Sequence, residues 1–357
     1  MKGSSSMSQR TLAGLIAVPL VLALLAVAWL SPLPYVVYRP GLTLDVLGKA
    51  GGKPIIQIDG HQSYDDNGQL RMTTVSVTRP DTSVHLPELL AAWVSKKDAV
   101  YPWGAVYQKG TTDTQSKQEG AVQMSTSQDT ATAVALDELG QPVPEVVKIA
   151  QVSKGAPADG KLQVGDVIVS VDGLAVTTKN TDDAIGRIQK TPAGKSVDLV
   201  VKRDGQERHV SVTPVEQGGS QKIGVSLGVD YVFPFDVKVN IDPEIGGPSA
   251  GLMFSLGIYD TLTPGSLTGG QKIAGTGEIE PDGSVGPIGG IQQKIAASDR
   301  DGARLFLVPK DNCGEAVGAA KGDVRLVKVS TMHDALTSVE SWVKDHDAKL
   351  PSCGGSS

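Results

Sequence analysis

The chain has 357 residues, a length that suggests two or three domains, and its 40% hydrophobic and 20% charged content excludes both general disorder and a polytopic membrane protein. With 33 basic against 39 acidic residues the net charge is −6, which leaves no electrostatic footprint for nucleic acid. Two cysteines, Cys313 and Cys353, are too few for a zinc site, so neither a metal nor another cofactor is expected.

Residues 12–30 form a run of 19 without a charge. As a helix rising about 1.5 Å per residue it nearly matches a hydrocarbon core about 30 Å thick, and buried core helices rarely run this long without a polar face. A transmembrane helix is expected there, with residues 1–38 making a short cytoplasmic tail and anchor. Lipid tolerates the internal Pro19, and Trp29, Tyr35 and Tyr38 would sit at the outer interface. Ala26-Val27-Ala28 has the small-residue spacing of a signal-peptidase site, so cleavage and secretion compete with anchoring. In either case the later domains are expected outside the cytoplasm, where disulfides persist. Closing the 40-position loop between Cys313 and Cys353 would stabilise by about 4 kcal/mol in the chain-entropy model; two free thiols are the alternative.

Pro32, Pro34 and Pro40 mark a stiff exit from this segment, and PIIQIDG and TTVSVT read as strands around a DDNG turn. Helices are expected over residues 86–96 and 125–139, the second closed by Gly140. Between them residues 109–123 are polar and carry no pattern. Residues 39–145 together read as a separate N-terminal extracytoplasmic region.

Residues 146–214 have a pattern of their own: the strand VVKIAQV, the turn KGAPADG, then KLQVGDVIVSVDG, a helix over residues 181–189, and the strands SVDLVVKRDG and ERHVSVTP. Gly165 and Gly173 suit tight turns, while Ile168 and Val171 supply apolar anchors. The series Gly155, Pro157, Ala158, Leu162, Gly165-Asp166, Ile168, Val171 and Asp172-Gly173 resembles a PDZ domain of the bacterial type. That resemblance implies a β-rich fold whose sheet edge takes up an extended peptide as an added strand. No GLGF-like carboxylate loop is present; Leu139-Gly140, just before VPEVVKI, is its nearest counterpart. Service as a spacer or gate is the other use of such a fold.

Further on, Gly246-Gly247-Pro248-Ser249 stands directly before a helical pattern of Leu252, Met253, Leu256 and Tyr259. Amides at a helix start have no intrahelical acceptor and suit a developing negative charge, so Ser249 reads either as a helix cap or as a nucleophile beside an oxyanion site. A serine nucleophile needs a base. Of the five histidines, His61, His85, His209, His333 and His346, none lies in the motif-rich stretch of residues 237–309, and lysine is the alternative base. In GGIQQKIAAS, Lys294 shares a helical stripe with Ile291 and Ile295, which starts its amine on the buried face. With an ordinary pKa near 10.4, only about one lysine in a thousand is neutral at pH 7.4. Burial that lowers the value to about 8 costs roughly 3 kcal/mol and makes the amine a usable base.

Taken in order, GGPSAG around Ser249, AGTGEI around Thr276, the DGSVGPIGG turn and Lys294, 45 residues after Ser249, are similar to the proteolytic domain of Lon-type Ser-Lys peptidases, here over residues 215–345. The resemblance implies that Ser249 is the nucleophile and Lys294 its general base, that Thr276 orients the amine, and that Gly246 and Gly247 shape the loop approached by substrate. Lon proteins carry an ATPase module, but Gly194-Lys195-Ser196 is preceded by Gln189 and gives no complete GxxxxGK[ST]. The order anchor, PDZ-like domain, Lon-like domain instead resembles the secreted or membrane-anchored PDZ-containing Lon-like proteases of bacteria, and implies a homo-oligomeric ring. Residues 346–357 remain as a tail. The expected architecture is an α+β multidomain chain with an N-terminal transmembrane helix, a PDZ-like β-rich domain and a Lon-type α/β proteolytic domain. The expected activity is that of a membrane-anchored, ATP-independent serine endopeptidase acting on unfolded or exposed polypeptide segments. A non-catalytic PDZ scaffold and acyl transfer on a non-protein substrate are the competing readings.

Overall fold

The computed structural model describes residues 9–319 and 322–354; the first eight residues of the cytoplasmic tail and anchor expected over residues 1–38 lie outside them. Helix α1 (Gln9–Leu30) is apolar, and its described side chains are exposed. Among the described residues no helix is long and apolar enough to cross a membrane, so the transmembrane helix expected over residues 12–30 is not supported.

Beyond α1 come β1 (Tyr35–Asp45), β2 (Gln69–Val77), α2 (Leu86–Val94), β3 (Ala99–Pro102) and α3 (Asp113–Glu138). Helix α3 begins well before the helix expected from residue 125. Its first three turns are polar and mostly exposed, so they lack the apolar stripe from which a helix is recognised; burial starts at Met124. Leu139-Gly140 terminates this helix. Gly140 adopts φ +72°, its N–H bonds Asp137 O, and the Gln141 N–H bonds Leu136 O. This pair of bonds is the Schellman pattern, which removes Leu139-Gly140 as the expected carboxylate loop.

The chain divides into two compact units, residues 136–236 and residues 1–135 with 237–357. The former holds β4 (Glu145–Val152), β5 (Val167–Val171), α4 (Thr181–Lys190), β6 (Val197–Arg203), β7 (Gln206–Val212) and β8 (Val225–Tyr231). Its sheet runs β7-β6-β5-β4-β8 over a core that includes Ile149, Leu162, Ile168, Val171, Ile188 and Leu199. The Asp172-Gly173 turn has φ of 45° and 75°, the doubly positive geometry that Asp-Gly hairpins favour. Strand β8 was expected in the proteolytic domain. It instead pairs antiparallel with β4, from Val225 opposite Val152 to Tyr231 opposite Glu145, so this unit extends past the expected boundary at residue 214.

The other unit continues with α5 (Gly251–Leu262), β9 (Lys272–Gly275), α6 (Ile291–Arg300), β10 (Leu305–Pro309), β11 (Arg325–Val329) and α7 (Met332–Lys344). A six-stranded sheet runs β11-β10-β9-β2-β1-β3. Strand β9 lies parallel to β10 on one side and to β2 on the other, with Ile273 opposite Leu305 and Leu70. Residues 39–145 are therefore not a separate region, since β1, β2 and β3 form half of this sheet. Strand β10 is apolar and buried at every position, as a parallel strand covered on both faces must be. Helix α5 is buried on nearly all sides, and α6 turns its apolar stripe, Ile291 and Ile295, inward. The expected tail is pinned as well: Lys328 N–H bonds Pro351 O at 2.9 Å, and Cys313 and Cys353 are joined in a disulfide.

Candidate active site

Ser249 sits in the turn that feeds α5, and the residue at the N-cap is Ala250, which has no side-chain acceptor. The Ser249 hydroxyl is therefore not a cap. Its Oγ lies 2.7 Å from Lys294 Nζ. Lys294 occupies the second turn of α6 and is 1% exposed, with Ile291 and Ile295 beside it fully buried. Burial alone pushes its amine down from an ordinary 10.5 to about 7. Among the described residues no carboxylate is within ion-pairing distance to restore the charge.

Thr276 directly follows β9 and is fully buried. Lys294 Nζ donates to its Oγ1 at 2.9 Å, while the Thr276 hydroxyl donates to Ser249 O at 2.8 Å. That carbonyl also accepts the Gly277 N–H at 2.9 Å. Because the Thr276 proton is spent on Ser249 O, Thr276 offers the amine only a lone pair. A neutral amine then has an acceptor for one N–H and can direct its own lone pair at the Ser249 hydroxyl. Burial is what favours the neutral state.

Replacing Thr276 by valine keeps the β-branched shape and deletes both bonds. We expect kcat for peptide cleavage to fall about tenfold with little change in KM. Loss of an acceptor for the charged amine also lowers the Lys294 pKa further, so the acid limb of the pH–rate profile moves to lower pH; steady-state kinetics from pH 5 to 9 would show both.

Gly246 and Gly247 pack against α3. Gly247 has φ +94°, which a side chain would strain, and its N–H bonds Gly120 O at 2.9 Å. A Cβ added to Gly246 would lie 3.0 Å from Gly120 Cα and C. At the next residue of the loop, the Ser127 hydroxyl donates to Pro248 O at 2.9 Å. Neither Gly120 nor Ser127 stands out in the sequence, because both lie on a helix distant in the chain from the serine. Gln293, next to Lys294, was missed too. It is 1% exposed, its Nε2 donates to Lys97 O at 3.1 Å, and its Oε1 has no hydrogen-bond partner among the described residues.

In the other unit, β8 ends the sheet and leaves one edge open. The chain enters this strand through Ile223 and Gly224, which has φ +79°; a Cβ there would lie 2.1 Å from that of Ala156. Ala158 N–H bonds Ile223 O, and Ser153 N–H bonds Gly224 O. The loop before β8, and not Leu139-Gly140, is thus the backbone next to the open edge.

The profile of the PDZ domain family matches residues 148–203, and that of the Lon protease (S16) C-terminal proteolytic domain matches residues 242–339. The Lon protease of Vibrio parahaemolyticus is 31% identical over 164 residues, covering 43% of this chain and 20% of that protein. That of Campylobacter concisus is 34% identical over 207 residues, covering 50% and 25%. The chain therefore spans about a quarter or less of the length of these relatives. Among solved structures, the PDZ domain of an SdrC-like protein from Listeria innocua aligns at 24% identity and a TM-score of 0.21, covering 23% of this chain and 92% of that one. The chain thus carries a PDZ domain and the C-terminal proteolytic domain of Lon proteases, a serine-peptidase module.

Proposed function

We propose that this chain is an endopeptidase in which Ser249 attacks a peptide carbonyl while Lys294 takes the hydroxyl proton and returns it to the leaving amine. Water, deprotonated by the same amine, would then release the acyl group from Ser249. The observation that carries this reading is the 2.7 Å approach of a fully buried lysine amine to the serine hydroxyl. With the Gly247 N–H committed to Gly120 and the Gly251 N–H to Pro248, the amides of Ser249 and Ala250 are the donors left to hold the oxyanion.

In this reading cleavage needs no nucleotide, since residues 189–196 lack the first glycine of a phosphate loop. Substrates are then loosely folded segments that enter unaided. The PDZ domain would recruit or gate them by taking an extended segment along β8, and several copies of the chain would assemble as a ring. The Cys313–Cys353 disulfide supports a location outside the cytoplasm. The exposed apolar side chains of α1, with Trp93 and Val94 exposed on α2, support attachment to lipid.

The test is digestion of an unfolded protein by the full chain without nucleotide, beside Ser249→Ala. We expect turnover by the wild type and none by the variant; equal turnover by both would overturn the assignment. Flotation of the same preparations with phospholipid vesicles reads out attachment.

A further inference from the structure

Helix α3 meets the segment before Ser249 at three places. The Gly120 carbonyl accepts the Gly247 N–H at 2.9 Å, and the Ser127 hydroxyl donates to Pro248 O at 2.9 Å. Nearer the helix start, Lys117 Nζ lies 3.0 Å from Glu244 Oε2, a carboxylate that Arg79 also approaches at 3.5 Å. The ion pairs are largely exposed and hold little by themselves. The two hydrogen bonds are different, because they seize consecutive residues of the loop by the backbone.

Helix geometry explains how two residues seven apart can do this. Carbonyls point toward the C-terminal end of a helix and side chains tilt toward its N-terminal end. The Gly120 carbonyl and the Ser127 hydroxyl therefore point toward each other along the helix, which narrows the two-turn gap between their Cα atoms. Gly120 also lets the loop backbone come within contact of the helix backbone, as the 3.0 Å clash of a Cβ built on Gly246 demonstrates.

A nucleophile carried on Gly-Gly-Pro needs such support. Two adjacent glycines leave the chain more freedom than any other pair, whereas a misplacement of about 1 Å in a reacting group can cost about 10²-fold in rate. Pro248 has no N–H, so its carbonyl is the backbone group through which it can be held. We propose that α3 is the positioning element of the nucleophile loop, with Gly120 and Ser127 as positioning residues that set Ser249 Oγ against Lys294 Nζ. This rests on the Ser249–Lys294 reading above.

Gly120→Ala and Ser127→Ala in the full chain test it. A Cβ on Gly120 would sit 3.4 Å from Gly246 Cα, the near edge of ordinary contact, and would press on the loop at the point it is held, while the helix itself gains from the glycine-to-alanine change. We expect kcat to fall about threefold to tenfold in Gly120→Ala and about tenfold in Ser127→Ala. KM should stay within about twofold, and the melting temperature of Gly120→Ala should be no lower than that of the wild type. Ser125→Ala removes the same hydroxyl from an exposed position of α3 and should leave kcat unchanged. Hydrogen exchange at the Gly247 amide should quicken in both positioning variants, a readout that does not depend on which residues perform the chemistry. Wild-type kcat with wild-type exchange in both variants would overturn the proposal, as would a loss of kcat matched by a drop in melting temperature. Turnover by Ser249→Ala would sink the dyad instead, with amide exchange still deciding whether α3 holds the loop.

Discussion

Lys294→Met is expected to stop peptide cleavage, lowering kcat at least about 10³-fold, while making the folded chain more stable at neutral pH. The side chain is fully buried beside Ile291 and Ile295, and methionine fills a similar space without a group that must be desolvated. In the wild type the amine is pushed down to about 7 by burial, whereas in the unfolded chain it titrates near 10.5. Between those two values the unfolded chain holds a proton that the folded chain lacks, so stability is greatest above about pH 10.5 and declines as pH falls toward 7. Methionine abolishes that dependence and returns about 4 to 5 kcal/mol at pH 7. Denaturant unfolding of both proteins at pH 7 and at pH 9 would show a difference that narrows at the higher pH. The wild-type rate should follow the neutral amine, dropping about tenfold for each pH unit below about 7. An acid limb near pH 10 would mean that the amine is wet and charged in the working enzyme.

Cys353→Ser should cost about 4 kcal/mol of stability, the loop-closure value for the 40-residue separation. It should change kcat at low temperature by less than about twofold. Cys313 and Cys353 pack against a cluster that contains Phe306, Val308 and Ala316 together with Ile291 and Ile295 of α6, whereas the hydrogen bonds that set the dyad run between Ser249, Thr276 and Lys294. The bridge ties the last described residues over β10 and β11, where Lys328 N–H already holds Pro351 O. Thermal unfolding with and without reductant would report the same loss in the wild type, and an unchanged melting temperature in Cys353→Ser would refute the estimate.

The residues that meet in the candidate site, Ser249, Thr276 and Lys294, were legible because each is announced within a short window. Ile291, Lys294 and Ile295 show their common face through helical spacing alone, so the burial of the amine is foreseeable from ten residues. Asp172-Gly173 and Gly165 mark turns whose backbone angles few other residues adopt. The strands and helix between Glu145 and Val212 follow from local alternation and periodicity.

What local pattern does not carry is the identity of the partner that covers each face. The strand β2 reads as half-buried, yet nothing in it specifies that β9, some 200 residues later, lies on one side and β1 on the other. The same holds for β8, whose place beside β4 overrides its position in the chain. Polar α3 has no stripe over its first turns, so neither its length nor its grip on Gly247 and Pro248 could be read from residues 109–123. Short-range periodicity reports how a segment is exposed, because side-chain direction repeats with the backbone. Pairing between distant segments depends on burying those faces together and satisfying their polar groups, and that is settled only once the whole chain has packed.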